Sequence, residues 1–540
     1  MEEKLMYLKP NVVIEPLVDK WYAWPHLISP ASAAMNITGR HIKIMNSYIQ
    51  APQIHAAAVQ NPKMKGGPFM DFGGKRVDEV KELRDLTMEE RSNMIAFSDA
   101  VKELEQMLRE HAKGYSLEPL YEKIPDMLKG YVELYYDLNN NASYRFFESL
   151  LYKSEFYEPK SQSIAMWVTD NDERPFTLST PKLKDQDILH LPLDFKSELI
   201  DEMSQMRRKA GSVNSLIDRL ELSEAEAELF RTFFTEEPLQ PYSKYEGDKV
   251  RMRYFGHACI LIETKNVSIL ADPVISYYGY QSDVSRFSDI DLPEVIDYVL
   301  ITHNHQDHIL FETLLPLRHK IKNLVIPKSA GKTLQDPSLK LMFDQIGFEN
   351  IIEIDEMESL KFGDVTLTGV PFVGEHSDLN IQAKICYHIR AEEFTMLFVA
   401  DSCNVEQRLY EHVRKEIGAV DVIFLGMECD GAPLSWLYGP LFSEEIERDK
   451  DQSRRLAGSN YERGMALVNA FSPSEVYVYA MGQEPWLEFI SSIKYTDESN
   501  PIIASNNLID TCNQQGILSE RLFGEKEILY SKFKELVPEA

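Results

Sequence analysis

The run Tyr298-Val-Leu-Ile-Thr302 passes without a break into His303-Asn-His305-Gln-Asp307-His308, and this junction constrains the fold more than any other stretch of the chain. An apolar run of this length reads as a strand buried on both faces. Three imidazoles within six residues would repel one another if protonated, whereas neutral imidazole is among the best ligands for divalent transition metals. Leaving the strand, His303 and His305 can point to one side and reach one metal. Asp307 and His308, at the following turn, can reach a second metal about 4 Å away, the spacing of two-metal sites. A histidine-rich surface turn is the bland alternative, and the strand in front of the cluster argues against it.

The surroundings suit a layered α/β arrangement. Short β-type runs recur at Val250 to Phe255, Ala258 to Glu263, Ser268 to Ala271, Leu324 to Ile326, Val365 to Thr368, Thr395 to Val399 and Val422 to Leu425, with helical stretches such as Phe311 to Lys320 between them. Before residue 240 the chain reads as mixed α/β with helices prominent. Thr87 and Glu90 look like a capping box opening a helix that carries Met94, Phe97, Val101, Leu104 and Leu108 and stops near Gly114. Asn139 to Asn141 are expected to break a second helical region. Ser223 and Glu226 open a third, running through Leu229 and Phe233. Residues 236–248, with Pro238, Pro241 and Gly247, suit an exposed linker. The expected division is a 1–240 N-terminal α/β domain, a 249–495 metal-bearing domain and a 496–540 C-terminal helical extension.

Composition narrows the function. A chain of 540 residues, 44% hydrophobic, has material for two or three cores. Its net charge of −29 would repel phosphate backbones and anionic membranes, so neither nucleic acid nor a membrane is an expected partner. No stretch approaches the roughly 18 uninterrupted apolar residues of a membrane span, and Met1 to Pro16 holds no signal-peptide core, which implies a cytoplasmic protein. Cys259, Cys386, Cys403, Cys429 and Cys512 are scattered without a Cys-x-x-Cys pair, so they suggest neither a disulfide framework nor a thiolate zinc knuckle.

The His-x-His-x-Asp-His motif after a strand, with Leu270-Ala271-Asp272-Pro273 before it, resembles the metallo-β-lactamase superfamily over roughly residues 249–490. The resemblance implies an αββα sandwich preceded by the large N-terminal domain. Superfamily hydrolases add a downstream His, an Asp after a strand, and a final His. Here Asp401 follows the strand Met396 to Ala400, and either Glu375 or His376 stands at the middle position. The final His is absent, because the last histidine of the chain is His412. These departures are similar to a narrower family, the di-iron β-hydroxylases of nonribosomal peptide biosynthesis, in which the middle ligand is a glutamate. That resemblance implies His303, His305 and Glu375 on one iron and Asp307, His308 and Asp401 on the other. Three carboxylates also supply hard anionic oxygen that suits iron better than a histidine-dominated zinc site does.

The resemblance further implies an O2-dependent monooxygenase that hydroxylates the β-carbon of an amino acid tethered as a thioester to a carrier domain. Its partners would be the aminoacyl-phosphopantetheine carrier (thiolation) domain of a nonribosomal peptide synthetase, an external electron donor and a second copy in a homodimer. Glu375 and Asp401 are the ligands whose loss should abolish the reaction. The competing readings are a zinc hydrolase of the same fold, acting on a thioester, lactone or phosphodiester, and a degenerate scaffold, which would have no reason to keep this ligand set. His257 reads as a structural histidine, with a supporting contact near the metals as the alternative. In the loop Glu428 to Trp436, either Glu428 or Asp430 orients substrate or a proton, or the loop is an ordinary polar turn. Gln483, Glu484 and Trp486 are expected to shape the pocket, and Trp21, Tyr22 and Trp24 to be core.

Overall fold

The structure, a computed structural model, describes residues 4–240, 242–278, 283–392 and 394–530. Two seven-stranded sheets face each other. The first runs in the order Ile351–Ile354, Ile321–Pro327, Ile296–Leu300, Ser268–Ala271, Cys259–Glu263, Val250–Gly256 and Lys526–Tyr530. The second runs Ser359–Phe362, Val365–Val370, Cys386–Ala391, Phe394–Phe398, Val422–Gly426, Glu475–Tyr479 and Leu518–Arg521. Each sheet is parallel at one end and antiparallel at the other.

Between the sheets lies an apolar layer that includes Ile260, Ile269, Leu300 and Val325 from one side and Leu367, Ile389, Phe398 and Phe424 from the other. Tyr387 bridges it without leaving its hydroxyl stranded, donating to the Ile301 carbonyl at 2.7 Å. The outer face of the second sheet is covered by the helices Gln407–Ile417, Tyr461–Phe471 and Asn500–Gln514, through Tyr410, Val413, Leu467, Val468, Leu508 and Cys512. The N-terminal domain performs that service for the first sheet. Leu8, Val12, Ile14 and Trp24 share one buried cluster with Leu261, Leu270, Val299 and Leu324. Burial on both faces is the reason these strands read as unbroken apolar runs.

The N-terminal domain is built on a four-stranded antiparallel sheet ordered Trp21–Tyr22, Val12–Val18, Gln162–Val168 and Leu189–Leu191. Trp21, Tyr22 and Trp24 are core, as expected, and Trp21 stacks on His41 with ring centroids 4.0 Å apart. A buried ion cluster ties this domain to the helix Phe311–Leu317. Arg174 bonds Glu312 at 2.8 Å and also reaches Glu15, which Lys182 approaches to 3.3 Å.

Several expectations need correction. Thr87 does not cap a helix: it lies inside Val77–Glu90, its hydroxyl bonding back to the Leu83 carbonyl at 2.7 Å, and a second helix, Ser92–His111, follows Arg91. Asn139 to Asn141 do not interrupt helix but sit in the turn of a hairpin pairing Val132–Tyr136 with Ala142–Phe146. The Ser223–Glu226 capping box is present at the head of Glu224–Arg231. The segment from 496 is no helical extension. Its helix Asn500–Gln514 covers the second sheet, and Leu518–Arg521 and Lys526–Tyr530 are outer strands of the two sheets. Pro241 and residues 531–540 lie outside the described residues. Among the described residues no helix is long and apolar enough to cross a membrane.

Candidate metal centre

Parallel strands collect functional loops at their carboxyl ends, and here the two sheets bring those ends together. His303, His305, Asp307 and His308 leave Ile296–Leu300, Glu375 follows Val365–Val370, and Asp401 follows Phe394–Phe398. Gly426 lets the last of these come close. A Cβ on Gly426 would stand 2.5 Å from the Ala400 carbonyl oxygen and 2.8 Å from Asp401 Oδ1. Strained backbone gathers around the site, with positive φ at His257, Asp272, Glu375, Ser377 and Ala400, a conformation that persists only when the surroundings over-determine it.

The other nitrogen of each motif imidazole is already engaged, which fixes what it presents inward. His308 Nδ1 donates to Asp272 Oδ2 at 2.8 Å, and Thr302 Oγ1 donates to the same oxygen at 2.6 Å. His303 Nδ1 then donates to Thr302 Oγ1 at 3.0 Å, and His305 Nε2 to Tyr438 Oη at 2.9 Å. The atoms left facing the centre are His303 Nε2, His305 Nδ1 and His308 Nε2.

Ligand atoms bound at about 2.1 Å to one metal stand roughly 3.0 to 3.4 Å from one another. His303 Nε2 lies 3.2 Å from His305 Nδ1, and His305 Nδ1 lies 3.0 Å from Glu375 Oε1. Asp401 Oδ2 is 3.1 Å from His308 Nε2 and 3.7 Å from His303 Nε2, so it lies between the two groups. Asp307 Oδ2 completes the second group, with His257 Nε2 3.5 Å away. His303 Nε2 and His305 Nδ1 facing each other at 3.2 Å need a cation between them, a metal ion or a proton that Glu375 favours on His305, and among the described residues buried Asp401 Oδ1, Glu375 Oε2 and both nitrogens of His257 make no hydrogen bond. These donors fit a pair of metal ions.

Charge follows the same geometry. Burial, then the neighbouring imidazoles of His308 and His305, hold His303 well below the ordinary histidine range. Burial opposes charge on His308 too, but Asp401 and Asp272 outweigh it and raise the value well above that range. Burial, and next the charge of Asp401, push Glu428 up to about 8, a shift that bound metal cations would offset.

The centre floors a cleft of about 640 Å³ at the seam of the two domains. Lys63, Lys65 and Phe176 of the N-terminal domain line it together with Trp436, Leu437 and Tyr495. Glu428 and Asp430 both line it, so the loop expectation is met in placement. Gln483, Glu484 and Trp486 are not among its lining residues. Ala480, directly after the strand Glu475–Tyr479, does line the cleft, but Glu484 is buried in a hydrogen bond from Tyr254. His376 stacks on His305 with centroids 4.5 Å apart and lies 3.0 Å from Glu375, so both middle-position candidates stand at the centre. Sequence reasoning missed Asp272 as a partner of His308 and undervalued His257. The Asp272-Pro273 turn beside the motif strand was the available signal for the first; for His257 none existed beyond its place at a strand turn.

Fold and ligand set together define a β-lactamase-superfamily protein with a site for two metals, and a model of the β-lactamase superfamily domain matches residues 268–432. The model of the diiron non-heme β-hydroxylase N-terminal domain matches residues 7–238. The 4-amino-L-phenylalanyl-[CmlP-peptidyl-carrier-protein] 3-hydroxylase of Streptomyces venezuelae is 39% identical over 526 residues, covering 95% of this chain and 98% of its own. The crystal structure of CmlA, a diiron β-hydroxylase from Streptomyces venezuelae, superposes with a TM-score of 0.91 at 37% identity, covering 98% of this chain and 100% of that one. The chain belongs to the diiron non-heme β-hydroxylase family, as the motif resemblance implied, and the zinc-hydrolase alternative is not favoured.

Proposed function

We propose that this chain hydroxylates the β-carbon of an amino acid held as a thioester on a carrier domain, consuming O2, two electrons from an external donor and two protons to give the alcohol and water. The observation that carries this reading is the interleaving of three carboxylates with three imidazoles at ligand spacing on the floor of the cleft, in a chain similar over its length to a carrier-protein 3-hydroxylase. His303, His305 and Glu375 would hold one iron, and Asp307, His308 and Asp401 the other. Bound iron supplies the redox activation of O2 that side chains alone lack.

The protein's own residues do the rest. Asp272, Thr302 and Tyr438 fix the tautomers and ring planes of the ligand imidazoles. Asp401, with Oδ2 between His303 and His308, would hold one metal or serve both. A cleft of about 640 Å³ cannot hold a folded carrier domain, so only the thioester arm enters, past Phe176, Trp436 and Tyr495, which exclude water from the reacting carbon. The N-terminal domain forms the outer wall and, on this reading, receives the carrier and pairs with a second copy.

The test is anaerobic reconstitution with Fe(II), then O2 and reductant with a panel of aminoacyl-carrier thioesters, read by product mass. Gain of one oxygen atom from labelled O2 at Cβ is expected. Tight zinc in place of iron, with thioester cleavage as the sole reaction, would overturn the proposal.

A further inference from the structure

The hydroxylase reading brings a second requirement. In an aminoacyl thioester the α-ammonium is one carbon from Cβ, so placing Cβ beside the ligand cluster carries a positive charge deep into the cleft. A buried cation without a partner is costly. The cleft-lining carboxylates among the described residues are Asp307, Glu375, Asp401, Glu428, Asp430 and Glu498. The first three belong to the ligand cluster. Asp430 and Glu498 are exposed, and Asp430 already lies 3.8 Å from Arg455. Glu428 is the one that remains inside and uncommitted.

Its placement is built rather than incidental. Val422–Gly426, the strand that delivers Glu428, runs parallel to and paired with Phe394–Phe398, the strand that delivers Asp401. The two acids therefore leave neighbouring strands at the same end of the sheet. The Gly458 N–H donates to the Glu428 carbonyl at 2.8 Å, pinning the main chain. Tyr495 Oη donates to Glu428 Oε1 at 3.2 Å and holds the carboxylate on the cleft wall. Among the described residues Oε2 makes no hydrogen bond, so one oxygen is held and one is free to accept.

Resting on the hydroxylase reading, we infer that Glu428, oriented by Tyr495, receives the α-ammonium of the carrier-bound amino acid and so selects amino acids over hydroxy acids. A charge-assisted hydrogen bond is about twice as strong as a neutral one and is worth about tenfold to a hundredfold in discrimination. The test compares iron-reconstituted wild type, Glu428→Gln and Tyr495→Phe on two carrier thioesters that differ only in an α-amino or an α-hydroxyl group.

Wild type should favour the amino substrate in kcat/KM by roughly ten- to a hundredfold. Glu428→Gln should lose that preference, chiefly through KM for the amino substrate, while its iron content stays near wild type. Tyr495→Phe, which keeps the carboxylate, should retain part of the preference. An unchanged amino-to-hydroxy ratio in Glu428→Gln would overturn the assignment of Glu428 alone. Absence of hydroxylation of every carrier thioester by wild type would overturn the parent reading instead.

Discussion

Asp272 offers the sharpest test of how the proposed metal centre is held, because its carboxylate accepts three hydrogen bonds while standing outside the proposed ligand set. Thr302 N–H reaches Oδ1 at 2.8 Å, and Thr302 Oγ1 and His308 Nδ1 reach Oδ2 at 2.6 and 2.8 Å. Asp272→Asn keeps size and the Oδ1 acceptor, and Thr302 Oγ1 can reverse and accept from the new amide. His308 Nδ1 cannot adapt: its N–H would face an NH2 group, so the ring loses its partner or takes the wrong tautomer and turns a protonated Nε2 toward the centre. One charge-assisted bond lost in a buried site is worth about 1.5 to 3 kcal/mol, or roughly ten- to a hundredfold in affinity at the site proposed for Asp307, His308 and Asp401. Asp272→Ala, which removes all three bonds, should lose more. The assay is iron per chain after competition with graded chelator, read alongside circular dichroism. Asp272→Asn should hold one iron as wild type does and release the other at lower chelator concentration. Two irons retained with wild-type affinity in that variant would refute the argument.

The same geometry sets three further outcomes. Glu375→Ala and Asp401→Ala should each reduce hydroxylation below detection by product mass with the circular dichroism spectrum intact, and full activity in either would remove that residue from the ligand set. Gly426→Ala should lower the iron content, since the new methyl would press on Asp401 and the Ala400 carbonyl; metal analysis decides. In the metal-free protein the raised pKa of His308 means that its charge with Asp401 and Asp272 stabilises the fold fully below the ordinary histidine range. That stabilisation is lost as pH rises through the raised value. Metal needs the unprotonated nitrogen, so iron affinity should fall as pH drops through the same value; a pH-independent affinity would refute this.

The centre was legible because metal binding writes local rules into sequence. Candidate ligands crowd at the end of one strand, as in His303 to His308, and a candidate carboxylate follows another, as with Asp401. Asp272 and His257 were harder, because their roles depend on which strand ends lie side by side, and spacing along the chain says nothing of that. The fold showed the same split. Strands buried on both faces, such as Ile296–Leu300, were visible as apolar runs. Leu518–Arg521 and Lys526–Tyr530 were not, because an outer strand keeps polar residues on its open side. The hairpin at 132–146 was lost for a related reason: its two five-residue strands, rich in Tyr and polar side chains, carry neither a helical nor a clean alternating pattern.

The two outer strands contributed by residues 518–530 bear on how the protein is made. Synthesis runs from the N-terminus, so a nascent chain that has reached Asn500 already carries every proposed iron ligand and nearly the whole lining of the cleft. Both sheets still lack their last strand, and each presents an unpaired edge able to recruit another growing chain. The final excursion from one sheet to the other pairs both of these edges, leaving Leu518–Arg521 and Lys526–Tyr530 as the new outer strands. Slow passage through this stretch on the ribosome, or a stop codon just before it, would leave a polypeptide with its chemistry encoded in full and its architecture open to aggregation.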